Sequence, residues 1–306
     1  MVSSIGRSGG VARPFVPAVT RSILDHACYL NGLDGAGAAL LRHGENAIYQ
    51  LASDPVIVRI SRHADVPQHE VVVARWLADL DFPAARLLGN LPQLQQVDGY
   101  VITWWELIDE APPRPRFVDL ALALRRLHEL PPPQNYTFPE FDPMPRVLSR
   151  VAAAGSALSD ADREFLTARH DALRGAFESL SFQLDRGPIH GDAHLGNLMR
   201  RSNRTVVVID FEAFMWGPRE WDVSVIAAAH KAFDWMEADE YHRCVAAYGW
   251  DPLTWDGFMT TRAVRELNMV TWLVQRAGES ADVDREIALR LADLRNDDLP
   301  RRWRQL

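Results

Sequence analysis

The 306-residue sequence predicts an α+β chain in two lobes, a small antiparallel sheet followed by a larger, mainly helical part. Three observations predict it. Residues 39–105 hold short runs of alternating or continuous apolar character, punctuated by Gly, Asp and Pro. Beyond the Pro-rich stretch at 111–115, longer segments carry apolar residues at helical spacing. A strand–loop–strand insert at 187–210 interrupts those helices with a loop rich in Asp, His and Asn. The boundary is expected near residue 105, giving lobes of 1–105 and 106–306.

Taken in order, residues 20–30 read as an amphipathic helix. Strands follow at 39–42, 47–52 and 56–60, turned by His43-Gly44-Glu45-Asn46 and Asp54-Pro55. Residues 67–80 are helical, with Val71, Val72, Trp76 and Leu80 on a shared side. Two short strands are expected at 86–88 and 94–97. The Asp98-Gly99 turn then feeds a strand from Tyr100 to Trp105. Later helices are expected at 117–130, 163–180, 220–233 and 257–276.

Composition narrows the function. Apolar residues at 47% allow a sizeable core, and charged residues at 24% with ten Trp argue for an ordered globular chain. The formal charge is −8, and no basic stripe appears, so a nucleic-acid partner is not expected. No apolar run nears the ~18 residues of a membrane span. The first 17 residues lack an apolar signal core and read as a polar start. Cys28 and Cys244 have no metal or disulfide spacing, which points to a reducing cytoplasm. Lys231 is the single lysine among 33 basic residues.

The insert carries the chemistry. It reads Pro188-Ile189-His190-Gly191-Asp192-Ala193-His194-Leu195-Gly196-Asn197-Leu198-Met199, then Val206-Val207-Val208-Ile209-Asp210-Phe211-Glu212. Each apolar run stops just short of a carboxylate. Phosphoryl transfer needs a carboxylate to orient the attacking hydroxyl and take its proton, and hard oxygen ligands to hold Mg²⁺. Asp192 and Asn197 stand five apart in one loop, and Asp210 ends the next strand. Read as Zn²⁺ ligands, His190, Asp192, His194 and Asp210 would instead suggest a metal hydrolase, but that leaves Asn197 unexplained.

The string from His190 to Asn197 resembles the catalytic loop of the aminoglycoside phosphotransferase and choline-kinase-like group, distant relatives of protein kinases. Ile209-Asp210-Phe211-Glu212 resembles that group's metal-binding segment. The resemblance implies a bilobal protein-kinase-like fold, with a nucleotide-binding first lobe and a catalytic second lobe. It implies Asp192 as base, Asn197 and Asp210 as Mg²⁺ ligands, and His190 as an internal support. His194 recurs in the pattern without an assigned role. Asp222, early in a helix, is expected to buttress the loop. Protein kinases pair a strand Lys with a helix Glu at the phosphates, and the matching residues are Arg59 and Glu70. Arg at that place keeps the charge and binds phosphate in a fork. Gly44 and Asn46 would cover the phosphates, and Trp104 lies in the strand expected to meet adenine as a hinge. ATP or GTP and Mg²⁺ are the implied cofactors.

Only eleven residues separate Asp210 from Asp222, too few for a peptide platform, so the acceptor is expected to be a small hydroxylated molecule. Asp234, Glu237, Asp239 and Glu240, with Trp235, Trp250, Trp255 and Trp272, could suit an amine, yet each reads equally as solvated charge or core filling. Aminoglycoside-like compounds and other hydroxylated metabolites stay open. So does a non-catalytic binding protein on the same scaffold, given Arg59 and the single-glycine turn.

Overall fold

The computed structural model describes residues 14–296 and 298–304. Most of the expected polar start lies outside the described residues. The chain forms two compact units, one of residues 1–110 with 210–212, the other of 111–209 with 213–306. The boundary falls at 110 and not at 105 because the strand ending the first unit runs on to Glu106. That residue's N–H donates to the Arg86 carbonyl (2.9 Å), and Leu107 N–H donates to the Pro55 carbonyl (2.8 Å).

The first unit holds α1 (Pro17–Leu30), β1 (Ala39–His43), β2 (Asn46–Gln50), β3 (Val56–Ser61), α2 (Asp65–Asp79), β4 (Gln95–Val97) and β5 (Tyr100–Glu106). The strands form one antiparallel sheet in the order β1-β2-β3-β5-β4. Pro17 opens α1, where a missing N–H costs nothing and the fixed φ is already helical. Ile23, Leu24, Ala27 and Cys28 bury one stripe of α1 with Ala47, Tyr49, Val58, Ile60, Ile102 and Trp104 of the sheet. The segment expected as a strand at 86–88 runs beside β5 but makes only the single bridge Leu87–Trp105.

The second unit holds α3 (Phe117–His128), α4 (Val147–Ala153), α5 (Asp160–Glu178), β6 (Arg186–Ile189), β7 (Leu198–Arg200), β8 (Val206–Val208), β9 (Met215–Pro218), α6 (Arg219–Lys231), α7 (Ala238–Tyr248), α8 (Phe258–Val274) and α9 (Ala281–Leu294). The four long expected helices appear within a few residues of their expected ends. α4, α7 and α9 had no counterpart in the sequence reading. The insert is two ribbons: β6 pairs with β9, and β7 with β8. α3 packs on α7 and α6, while α8 packs on α4, α5, α6 and α9. Buried Leu120, Leu124, Leu127, Ile226, Val264, Leu267 and Val270 fill the space among them. Glu266, fully buried, accepts from Arg262 and Arg301, so neither charge is left without a partner.

Candidate active site

The loop after β6 begins with a turn that only glycine makes. Gly191 has φ 81°, and a Cβ there would sit 2.0 Å from the Ala213 carbonyl oxygen. Asp222, in the first turn of α6, holds this backbone. Its Oδ2 accepts from His190 N–H (2.7 Å) and its Oδ1 from Gly191 N–H (3.0 Å). The His128 Nε2 of α3 lies 3.2 Å from the same Oδ2, and His128 Nδ1 lies 2.8 Å from the Tyr248 hydroxyl of α7. With Nε2–H donating to Asp222, Nδ1 accepts from the tyrosine. Burial raises the Tyr248 pKa, which keeps that O–H in place. Burial also pushes the Asp222 carboxyl upward, but hydrogen bonds from the His128 side chain and the His190 backbone outweigh it, and the net direction is down. Asp222 is thus the anionic centre of a buried network spanning three helices and the loop.

His190 is buried, and its Nε2–H donates to the Ile209 carbonyl (3.0 Å). It braces the loop from within. Trp221 Nε1–H donates to the Gly191 carbonyl (2.7 Å). The next residue, Asp192, turns outward, with its side chain 66% exposed. Asn197 Nδ2 donates to the Asp192 carbonyl (2.9 Å), which leaves the Asn197 Oδ1 as the free acceptor of that amide. Gly196 N–H donates to His194 Nδ1 (3.0 Å). Nε2, the other ring nitrogen, faces Asp192 Oδ2 at 3.6 Å. Desolvation pushes the Asp192 carboxyl upward. Hydrogen bonding and charge from His194, with the charges of His190 and Arg265, more than offset it and hold the group at about 2. Water screens these charges at so exposed a side chain, so they establish an ionised carboxylate and not a tight ion pair.

In the first unit, Arg59 on β3 pairs through Nη1 with Glu70 Oε1 of α2, the partner expected from the sequence. Arg59 Nη2 also lies 3.6 Å from Glu212 Oε2. The sequence showed Glu212 beside Asp210 but gave it no task. Burial, opposed by Arg59 and reinforced by the charges of Asp210 and Glu212, pushes the Glu70 carboxyl up to about 7. Asp210 has left-handed backbone (φ 65°), an uncommon state for a non-glycine residue and one that concentrates at functional sites. Its Oδ1 is buried without a hydrogen-bond partner among the described residues. A carboxylate oxygen in that state is a ready cation ligand.

Gly44 and Asn46 form the β1–β2 turn, where Gly44 N–H donates to the Asn46 carbonyl (3.0 Å). A Cβ at Gly44 would meet nothing within 4 Å, so packing does not require the glycine. Trp104 is a correction. Its side chain is fully buried, its N–H donates to Gln93 Oε1 (3.0 Å), and its carbonyl accepts from Leu88 N–H (2.9 Å) and Gln93 Nε2 (3.2 Å). No backbone group of Trp104 is left for adenine.

The acidic and aromatic residues of the later helices do not gather. Glu240 pairs with Arg116 (3.1 Å), and Asp234, Glu237 and Asp239 are exposed. Trp250 and Trp255 donate to Gln183 and Ser181, and Trp235 stacks on Phe233. Among the described residues no three His, Cys, Asp or Glu side chains are grouped as ligands, so the zinc arrangement considered from sequence is not formed. A residue the sequence did not flag, Arg265 of α8, lies over the Trp221 ring, 4.1 Å from Cζ to the centroid.

A model of the phosphotransferase enzyme family matches residues 39–258. The chain belongs to that family. Solved structures with the same protein-kinase-like fold extend over nearly the whole chain. A choline/ethanolamine kinase family protein from Mesorhizobium loti is 16% identical with a TM-score of 0.62, covering 91% of this chain and 93% of its own. A microcompartment-associated aminopropanol kinase is 20% identical with a TM-score of 0.63, over 90% and 94% of the two chains. A spectinomycin phosphotransferase, solved with ADP and spectinomycin, is 16% identical with a TM-score of 0.58, over 86% and 90%. No curated protein sequence matches this one. The matched span contains Asp192, Asn197 and Asp210.

Proposed function

We propose that this phosphotransferase family member moves the γ-phosphoryl group of ATP or GTP to a hydroxyl of a small molecule. One observation carries the reading. An ionised, outward-facing Asp192 is mounted on a loop whose backbone is fixed by the buried Asp222 network, and Asn197 is tied to the same loop by its Nδ2. A carboxylate so held accepts the proton of an attacking hydroxyl as the new O–P bond forms and the bond to the β–γ bridging oxygen breaks.

Asn197 Oδ1 and the unpartnered Asp210 Oδ1 are the protein oxygens that would hold Mg²⁺. When bound, that ion neutralises charge on the triphosphate. Arg59, steadied by Glu70, would bind phosphate oxygens, and the Gly44–Asn46 turn would offer its backbone to the same group. The ADP carried by the spectinomycin phosphotransferase supports a nucleotide donor here. The short link between Asp210 and Asp222 supports a small acceptor over a peptide. Two buried free thiols, Cys28 and Cys244, suit a cytoplasmic setting, and among the described residues no helix is long and apolar enough to cross a membrane.

The test is nucleotide turnover across a panel of hydroxylated compounds for wild type and Asp192→Ala. The variant should lose on the order of 10² to 10⁴ in rate while still binding Mg·ATP. Equal turnover by both proteins would overturn the assignment of the base. Magnesium-dependent nucleotide binding with no transfer to any acceptor would favour the non-catalytic reading.

A further inference from the structure

A base works only while its carboxylate is aimed at the incoming hydroxyl, and the direction of the Asp192 side chain is set by the two peptide planes that meet at its Cα. The plane on the C-terminal side is held by Asn197, whose Nδ2 donates to the Asp192 carbonyl (2.9 Å). The plane on the N-terminal side joins Gly191 to Asp192. Asp222 holds the two peptides before it, through the N–H groups of His190 and Gly191. Gly191 has no Cβ and a left-handed φ, so its own sterics leave the peptide that follows free to rotate. What holds that peptide is the Trp221 indole, whose Nε1–H donates to the Gly191 carbonyl (2.7 Å).

The indole is itself clamped. Trp221 is buried in the first turn of α6. The Arg265 guanidinium of α8 lies 4.1 Å from the centre of its ring, and Arg265 Nη2 donates to the Trp221 carbonyl. Phe141 packs on the ring at 5.0 Å between centroids, and Phe177 of α5 meets it edge-on at 6.2 Å. The segment that carries Phe141 is tied down on both sides of that residue. The Pro139 carbonyl accepts from Trp216 N–H of β9 (3.2 Å), and the Pro143 carbonyl accepts from Asn268 Nδ2 of α8 (2.8 Å). An indole N–H only donates, so a ring that cannot turn gives its hydrogen to one place, the Gly191 carbonyl.

We propose that Trp221 is a positioning residue of the transfer reaction: its Nε1–H locks the Gly191–Asp192 peptide and so aims the Asp192 carboxylate, with Phe141 steadying the indole. The proposal rests on Asp192 being the base of that reaction. Asp222 and Trp221 divide the loop between them. The carboxylate fixes the peptides that lead into Gly191, and the indole fixes the one that leaves it.

The experiment uses the full chain and three variants: Trp221→Phe, which keeps a ring but no donor, Phe141→Leu, which keeps the donor but loosens its support, and the two combined. Each is checked for an intact thermal transition. Values of kcat and KM are measured with ATP and an acceptor that the wild type phosphorylates, and Mg·ADP binding is titrated by calorimetry. Crystal structures of wild type and Trp221→Phe read the peptide directly. Trp221→Phe should lower kcat about fivefold to tenfold, as expected for one lost hydrogen bond, and leave Mg·ADP affinity unchanged. Its Gly191 carbonyl should leave the wild-type position. Phe141→Leu should lower kcat about threefold by itself and add nothing in the Trp221→Phe background, because both act through one bond. A kcat for Trp221→Phe equal to wild type, a parallel loss of Mg·ADP affinity, an undiminished effect of Phe141→Leu in the double variant, or an unmoved Gly191 carbonyl would each overturn the proposal. Transfer by the wild type with an unimpaired Trp221→Phe leaves the kinase reading standing and removes this one. Should the wild type transfer phosphate to no acceptor, the kinase reading falls, and the position of the Gly191 carbonyl in the two crystal structures still decides whether the indole locks the peptide.

Discussion

Replacing Asp222 by Asn is the sharpest test of how the catalytic loop is held. The carboxylate accepts three N–H groups at 2.7, 3.0 and 3.2 Å, and it is fully buried. An asparagine has one oxygen. Placed where Oδ2 is, it can still serve His190 and His128, but its NH₂ then faces the Gly191 N–H, donor against donor. The reverse placement is worse, because two donors lose their acceptor. The variant therefore loses one hydrogen bond to a charged acceptor, leaves a buried N–H unpaired and removes the charge assistance from the other two. With ~1.5–3 kcal/mol for a charge-assisted bond, the whole comes to about 2–4 kcal/mol. At about 2–4 °C per kcal/mol for a unit of this size, the thermal midpoint should fall by roughly 10 °C. Calorimetry of the purified variant measures this. The same loop carries Asp192, so kcat should fall about tenfold or more at temperatures where the variant is folded, with nucleotide affinity little changed. A midpoint within 2 °C of wild type, by the same estimate, would refute the energetic reasoning. A lowered midpoint with unchanged kcat would refute the claim that Asp222 positions the base. Asp222 also has a pH signature. Its folded pKa lies below the ordinary value, so its contribution is present at neutral pH and is lost as pH falls through that depressed value.

Two other outcomes are expected. His194→Ala should lower kcat about fivefold, a modest loss for so exposed a pair, and move the acidic limb of kcat/KM to higher pH as the Asp192 carboxyl returns toward its ordinary range. His194→Gln, whose amide nitrogen reaches the place of Nε2, should restore most of the rate, and a glutamine variant as impaired as the alanine one would count against this role. Glu70 should make stability fall as pH rises. Its folded pKa of about 7 lies above the 4.5 of a free glutamate, so the folded state holds the extra proton between those values and loses on the order of 3 kcal/mol across them. Urea unfolding from pH 5 to 8 should show that slope in wild type and a flatter one in Glu70→Gln, and parallel curves would dismiss the effect.

The legible parts of this molecule are those written locally. The β3 alternation around Arg59 and the Asp98-Gly99 turn each lie within one stretch of chain and formed as read, and the string from His190 to Asn197 forms the loop between β6 and β7. The Arg59–Glu70 pair was legible because strand and helix are neighbours in sequence. Trp104 was misread because its backbone partners depend on Gln93 and Leu88, which no local pattern announces. α7 escaped because only Tyr241 and Cys244 among its residues are buried, leaving too thin an apolar stripe to register. Arg265 was invisible for another reason. Its place comes from Trp221, brought under it by the packing of α8 on α6, and an arginine in a helix carries no mark of that.

The lone lysine has a practical meaning. Lys231 ends α6 and is exposed, while the cation we propose for the phosphates is Arg59. An acylating nucleotide analogue designed to capture an amine beside the phosphates would find only a guanidinium there. Among the side chains, amine-directed dye labelling would instead act at one point on the surface of the second unit, with residues 190–197 chemically untouched.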